Sequence, residues 1–218
     1  MTRTKVLLID DHPLVREWLS TLINQQADLT VCGEAEDAPH ALSLVASLKP
    51  RLAIVDLSLK SGSGIQLIKD LKQLDASLLI LVLSMHDESL YAERVLRAGA
   101  RGYVMKREVT KKIIGAIRDV LRGEIVLSEK LATTMLGKLL QGQADSTLSP
   151  VTILGDRELE VFQLLGRGWE TRRISEELHI SIKTVQAHCA RIKEKLNLKS
   201  ATELLREAIR WEESHLPR

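Results

Sequence analysis

Three acids, a hydroxyl and a lysine stand where a chain could assemble a phosphoryl-transfer centre. Asp10 and Asp11 follow the apolar run Val6-Leu7-Leu8-Ile9, and Asp56 ends the run Leu52-Ala53-Ile54-Val55. Ser84 follows the run from Leu78 to Leu83, and Lys106 follows Gly102-Tyr103-Val104-Met105. Carboxylates brought close together repel and resist ionisation unless a cation intervenes. A hard divalent ion with oxygen ligands, Mg2+ above all, relieves this and keeps positions for water or phosphate. A lysine can meet a phosphoryl oxygen as a point charge, and a hydroxyl can bond another. An aspartate held beside both can act as nucleophile and become an aspartyl-phosphate. Each residue also has a plainer use. Asp10-Asp11 before Pro13 and Ser84 before the next helix can be helix caps, and Lys106 can be a solvated strand end.

The elements around these residues decide between the two uses. Apolar runs at residues 6–9, 30–32, 52–56, 78–83 and 102–105 read as strands, the third buried on both faces. Between them lie helical spacings: Leu14, Trp18, Leu19, Leu22 and Ile23; Ala41, Leu42, Val45 and Leu48; Leu67, Ile68 and Leu71; then 90–98, closed by Gly99. A fifth helix spans 109–121 and stops at Gly123. Five alternations of strand and helix predict a parallel sheet covered on both faces, with right-handed crossovers. Asp10, Asp11, Asp56, Ser84 and Lys106 then all fall on the carboxyl edge, where open α/β sheets bind ligands.

Residues 4 to about 124 resemble the receiver domain of two-component response regulators. The resemblance rests on Leu8-Ile9-Asp10-Asp11-His12-Pro13, Asp56-Leu57-Ser58-Leu59, Leu83-Ser84-Met85-His86 and Gly102-Tyr103-Val104-Met105-Lys106. It implies Asp56 as phospho-acceptor and Asp10, Asp11, Asp56 and the Ser58 carbonyl as Mg2+ ligands. It also implies Ser84 and Tyr103 as a switch pair and Lys106 as the phosphoryl-contacting cation. The fold implied is a flavodoxin-like, doubly wound five-stranded sheet. Lys60 after Leu59 departs from the family's common Leu-Pro pair, so this loop can differ in shape.

Residues 128–141 read as a further helix with Leu131, Met135, Leu136, Leu139 and Leu140 apolar, and 142–150 read as a flexible, turn-rich linker. Beyond Leu154 the pattern is helical throughout. A short helix with Ile174 and Leu178 is followed by a turn at His179-Ile180 and a longer helix capped by Ser181, which is helix-turn-helix spacing. A fourth helix begins with the capping box of Ser200 and Glu203, and Leu204, Leu205, Ala208 and Ile209, with Trp211, make its apolar face. Residues 171–199 carry seven bases against three acids, more positive than the +2 of the whole chain, which suits a phosphate backbone or a solvated helix face.

Leu154 to about Leu198 resembles the LuxR-type helix-turn-helix, and the whole chain resembles NarL/FixJ-type response regulators. The matching stretches are Arg157-Glu158-Leu159-Glu160-Val161, Ser181-Ile182-Lys183-Thr184-Val185-Gln186-Ala187-His188 and Arg191-Ile192-Lys193-Glu194-Lys195-Leu196. The resemblance places Gln186, Ala187 and Ala190 at base edges in the major groove and Lys183, Thr184, His188 and Arg191 at phosphates. A glutamine can read adenine bidentately. Gly155 replaces a common capping threonine, leaving Asp156 as the expected cap. Glu170 and Arg173 replace a common serine and glutamate.

Hydrophobic content of 44% and 218 residues allow two packed domains, and two distant cysteines offer no metal or disulfide spacing. No apolar run has membrane-span length and no leader precedes Val6, so a cytoplasmic protein is expected. The expectation is a receiver over 1–124, a linker helix and flexible linker over 125–150, and a small all-α four-helix helix-turn-helix domain over 151–218. Its partners would be a sensor histidine kinase, double-stranded DNA and a second copy when phosphorylated or DNA-bound, without a membrane. It would be a transcription regulator rather than an enzyme. A contact-only receiver would dispense with the acids, and an aspartyl-phosphate hydrolase would leave the basic C-terminal third unexplained.

Overall fold

The computed structural model describes residues 3–59, 63–140 and 150–215. The chain forms two compact units, 1–142 and 143–218. The expected flexible linker falls almost wholly on 141–149, outside the described residues.

In the first unit strands β1 (Thr4–Ile9), β2 (Leu29–Ala35), β3 (Leu52–Asp56), β4 (Leu79–Ser84) and β5 (Gly102–Met105) alternate with helices α1 (Pro13–Asn24), α2 (Ala38–Leu48), α3 (Gly64–Leu74), α4 (Glu88–Arg97) and α5 (Val109–Leu121). The strands make one parallel sheet in the order β2-β1-β3-β4-β5. The order reverses between β1 and β3, which opens a crevice at their carboxyl ends. Central β3 is buried at all five residues, as a doubly covered parallel strand should be. Edge strand β2 is longer than its apolar core suggests: its seven residues are mostly half-buried, and the pairing with β1 shifts register between Val6 and Leu7.

Apolar side chains of α1 and α5 anchor one face of the sheet. Leu19 and Ile23 of α1 and Ile113, Ile117 and Val120 of α5 pack on Val6, Leu8, Leu52, Ile54, Leu81 and Leu83. Leu14 and Trp18, grouped with that α1 face by their spacing, stay 80% and 37% exposed. A helix α6 (Glu129–Leu140) follows α5 within the first unit.

The second unit holds a short α7 (Pro150–Ile153), then α8 (Asp156–Gly166), α9 (Thr171–Glu177), α10 (Ile182–Lys195) and α11 (Ala201–His215). Leu159, Phe162, Ile174, Val185, Ile192, Leu204, Ala208 and Trp211 are buried, and the Phe162 and Trp211 rings lie 5.7 Å apart. On α11 the buried stripe is Leu204, Ala208 and Trp211, while Leu205 and Ile209 are 41% and 37% exposed. The helix buries one narrow stripe, at i, i+4 and i+7, so the adjacent apolar positions stay outside. The backbones of α8 and α11 approach closely at Gly166, where a Cβ would meet the Ala208 carbonyl oxygen at 2.5 Å.

Candidate functional site

Sheet register brings the candidate residues together. Ile9 pairs with Val55, so Asp10 and Asp56 end neighbouring strands at one level. Asp56 pairs with Leu83 and Ser84 with Met105, so Ser84 and Lys106 complete the same edge. Asp10, Asp11, Asp56 and Ser84 are buried.

Lys106 ties the centre together. Its Nζ lies 2.7 Å from Asp10 Oδ2 and 2.7 Å from Asp56 Oδ2. Asp56 Oδ1 accepts from the Ser58 N–H at 3.2 Å. Burial pushes the Asp56 carboxyl above its usual range; the Lys106 charge pulls it back in part, and repulsion from Asp10 raises it again. Burial alone would lower Lys106, but the charge of Asp56 and hydrogen bonds with Asp10 and Asp56 hold it above an ordinary lysine.

Two features were not assigned from the sequence. His12 Nδ1 stands 2.7 Å from Asp11 Oδ1 and 3.1 Å from Asp10 Oδ1, and the His12 N–H donates to Asp10 Oδ1 at 2.8 Å. On the opposite side His86 Nε2 meets Ser58 Oγ at 3.0 Å, and its ring lies 4.7 Å from that of Tyr91. Both histidines were visible in the runs Asp11-His12-Pro13 and Met85-His86. Only their proximity after folding gives them a place in the site.

Ser84 and Tyr103 meet at one loop. The His86 N–H donates to Ser84 Oγ at 3.1 Å, and the Tyr103 hydroxyl donates to the His86 carbonyl oxygen at 2.9 Å. The Tyr103 ring is buried, which pushes its phenol well up, with the neighbouring Ser84 hydroxyl offsetting this in part. Gly64 opens α3 where a Cβ would lie 2.5 Å from Leu57 Cα and 2.7 Å from the Asp56 carbonyl oxygen, so only glycine allows α3 to start against this loop.

The donor set fits a hard divalent ion. Asp10, Asp11, His12 and Asp56 offer ligand atoms within 4.8 Å of one another. Asp10 Oδ2 and Asp11 Oδ1 are buried, and in this arrangement the first is met by Lys106 Nζ at 2.7 Å and the second by His12 Nδ1 at 2.7 Å. Oxygen donors clustered in this way match the preference of Mg2+.

In the second unit the Ser181 hydroxyl accepts from the Thr184 N–H at 3.0 Å and so caps α10. Lys183, Thr184, Gln186, Ala187, Ala190 and Arg191 are exposed on α10. His188 is set apart from them: it is half-buried, its Nδ1 has no partner, and burial with the neighbouring Arg191 charge lowers its pKa. The basic stripe is thinner than its sequence count, because Lys195 pairs with Glu158 at 2.7 Å and Arg172 with Glu176 at 3.3 Å. Glu158 also accepts from the Gly155 N–H at 2.8 Å. Gly155 is thus the N-cap of α8 and Asp156 its first residue, against the expectation that Asp156 caps; the glutamate three residues on takes up the free amide instead. Arg157 binds Glu160 at 2.5 Å and the Leu178 carbonyl oxygen at 2.7 Å, joining α8 to the end of α9.

Residues 6–118 match the family model of the response regulator receiver domain, and residues 152–208 match that of the bacterial regulatory proteins of the luxR family. The chain is 37% identical over 210 residues to the oxygen regulatory protein NreC of Staphylococcus carnosus, covering 94% of this chain and 97% of that protein. Among solved structures it is similar to RcsB from Salmonella enterica serovar Typhimurium bound to promoter rprA with a phosphomimetic, at 28% identity and a TM-score of 0.61, over 95% of this chain and 99% of that one. A LuxR-family response regulator from Aurantimonas sp. SI85-9A1 is 32% identical with a TM-score of 0.59, covering 64% of this chain and 99% of that one.

Proposed function

Because the chain belongs to the two-component response regulators of the NarL/FixJ type, which join a receiver domain to a LuxR-type DNA-binding domain, we propose that Asp56 is its phospho-acceptor and that phosphorylation controls how its C-terminal unit binds DNA. The observation that carries this reading is the double contact of Lys106, 2.7 Å from both Asp10 and Asp56 on one sheet edge.

An Asp56 carboxylate oxygen attacks phosphorus in a phosphohistidine of a sensor kinase. A P–O bond forms and the P–N bond breaks, its electron pair returning to the imidazole, which takes a proton; Asp56 is left as an acyl phosphate. Asp10, Asp11 and Asp56, with the Ser58 carbonyl, hold Mg2+, which when bound neutralises charge on the phosphoryl oxygens. Lys106 supplies a second positive charge from the protein itself. Ser84 turns its hydroxyl toward a phosphoryl oxygen, giving up the His86 N–H, and Tyr103 follows the loop it is bonded to.

The domain division proposed is a receiver to about residue 124, a connecting segment to 150 and the DNA-binding domain beyond, the two compact units parting within that segment at 142/143. In the last, α10 enters the major groove, with Gln186, Ala187 and Ala190 at base edges and Lys183, Thr184, His188 and Arg191 at phosphates. Phosphorylated or DNA-bound protein pairs with a second copy, and the protein works in the cytoplasm. No helix among the described residues is long and apolar enough to cross a membrane.

Incubation with Mg2+ and acetyl phosphate followed by intact mass tests the reading. One added phosphoryl group, absent in Asp56→Asn, is expected. Equal uptake by that variant removes Asp56 as the acceptor.

A further inference from the structure

The chain does not leave the sheet after α5. Gly123, at φ 90°, turns it back, and Val126 forms a parallel bridge to Gly102. The Tyr103 N–H donates to the Val126 carbonyl oxygen at 2.8 Å, and the Val126 N–H donates to the Arg101 carbonyl oxygen at 2.9 Å. Residues 124–128 thus run along the outer edge of β5, the strand that carries Tyr103. The approach is close: a Cβ on Gly102 would stand 2.9 Å from Val126 Cβ.

Two residues later a side chain from another element takes hold. The Ser128 N–H donates to Glu88 Oε1 at 2.7 Å, and Ser128 Oγ accepts from the Leu131 N–H at 3.2 Å. Ser128 therefore caps α6, and its own amide is held by the first residue of α4. Glu88 is only 8% exposed, in the wall of a cavity of about 300 Å3 that Tyr103, Met105, Ala116 and Val126 also line. A buried carboxylate needs donors, and an amide–carboxylate bond is among the stronger hydrogen bonds a protein makes.

The same α4 residue adjoins the switch loop. Met85, His86 and Asp87 connect Ser84 to Glu88. His86 is pinned by the Ser84 hydroxyl at its N–H and by the Tyr103 hydroxyl at its carbonyl oxygen. If Ser84 turns to a phosphoryl oxygen, the first pin goes, and the loop leading into α4 moves with it. A shift of about 1 Å takes a 2.7 Å contact out of hydrogen-bond range.

We propose that Glu88 is a positioning residue that clamps the start of α6 in the unphosphorylated protein, and that phosphorylation at Asp56 withdraws it and frees that helix. This rests on the reading of Asp56 and Ser84 given above. The freed helix is the part of the first unit that adjoins the DNA-binding unit in sequence, so its release is the receiver's output.

Hydrogen exchange of the full chain tests this, read by mass spectrometry on peptides from the 124–137 region, with intact mass recording phosphoryl uptake in parallel. On uptake, amides of Ser128 to Leu131 are expected to exchange at least about tenfold faster. Glu88→Ala should show that fast exchange without acetyl phosphate and gain nothing more on uptake, whereas Glu88→Gln, which keeps a carbonyl acceptor, should fall between. Amides of β1 and β3 report that the variants remain folded. The Val126 amide, bonded to Arg101 rather than Glu88, should stay protected in both. Full uptake with unchanged exchange at 128–131, or wild-type protection there in Glu88→Ala, overturns the clamp. Absence of uptake instead counts against Asp56 as acceptor and leaves the comparison of unphosphorylated wild type with Glu88→Ala to decide the clamp.

Discussion

Replacing Lys106 with methionine keeps most of the side-chain stem and removes the charge that lies 2.7 Å from two buried carboxylates. Asp10 and Asp56 are 3% and 1% exposed, so water cannot take over from the lysine. Breaking a buried ion pair on one side costs about 3–5 kcal/mol. The cost has a ceiling, because one carboxylate can take up a proton. With an ordinary carboxylate pKa near 3.9, protonation costs about 4 kcal/mol at pH 7 and about 1.5 kcal/mol at pH 5. The variant should therefore be less stable than wild type by about 3–4 kcal/mol at pH 7 in EDTA, and by no more than about 1.5 kcal/mol at pH 5. Urea unfolding of the full chain followed by circular dichroism reads this as a receiver transition about 2 M lower at pH 7, for a slope of about 1.5–2 kcal/mol per M. Mg2+ should recover part of the loss by binding the folded state. A difference below about 1 kcal/mol at pH 7, or one unchanged at pH 5, would refute the reasoning and leave only lost packing of the lysine stem.

Further outcomes follow from the same geometry. Asp56 has a raised pKa from burial, so its contribution to stability is full below the ordinary carboxylate pKa and is lost as pH rises through the raised folded value. Asp56→Asn should accordingly be at least as stable as wild type at pH 7, with the gap closing toward pH 4 in thermal unfolding; a less stable variant at pH 7 contradicts this. Gly64→Ala forces a Cβ against the Leu57 and Asp56 backbone, and should cost about 1–3 kcal/mol and slow phosphoryl uptake measured by intact mass. On a mapped DNA site, Gln186→Ala should weaken binding by about 1–3 kcal/mol and relax preference at one base position. Lys183→Ala should weaken all sequences alike and lower the salt-dependence slope by about one, in fluorescence anisotropy across salt concentrations.

Much of this was legible in the sequence because central parallel strands are apolar without interruption. Residues 52–56 and 102–105 are strands at the bounds their apolar runs mark. Edge strand β2 was seen only at Thr30-Val31-Cys32, since Gly33 and the exposed Glu34 interrupt the apolar run before the buried Ala35. The acids, Ser84 and Lys106 could be placed on one edge because each ends a strand, and parallel register does the rest. What could not be read were contacts between elements far apart in sequence. Lys195 counted as a free base until Glu158 of α8 was found beside it. Leu205 and Ile209 counted as core until α11 showed how narrow a stripe it buries. The bond of Ser128 to Glu88 spans 40 residues and leaves no local mark.

Left-handed residues stand on both sides of α10: His179 at φ 50° in the turn before it and Asn197 at φ 54° just after it. Each ends the run of helical hydrogen bonds before it, so α10 is kept at fourteen residues, or roughly 21 Å. The carboxyl end cannot lengthen past Leu196 unless Asn197 leaves the left-handed region, the amino end is fixed by the Ser181 cap, and a β-branched side chain at 179 or 197 would be strained. How the helix is presented and which bases its outward side chains meet are thus set by separate residues. If Gln186, Ala187 and Ala190 read bases as proposed, drift at these positions moves the regulator to new sites on DNA while the frame that offers the helix stays fixed, and substitution at 179 or 197 alters recognition at every site at once.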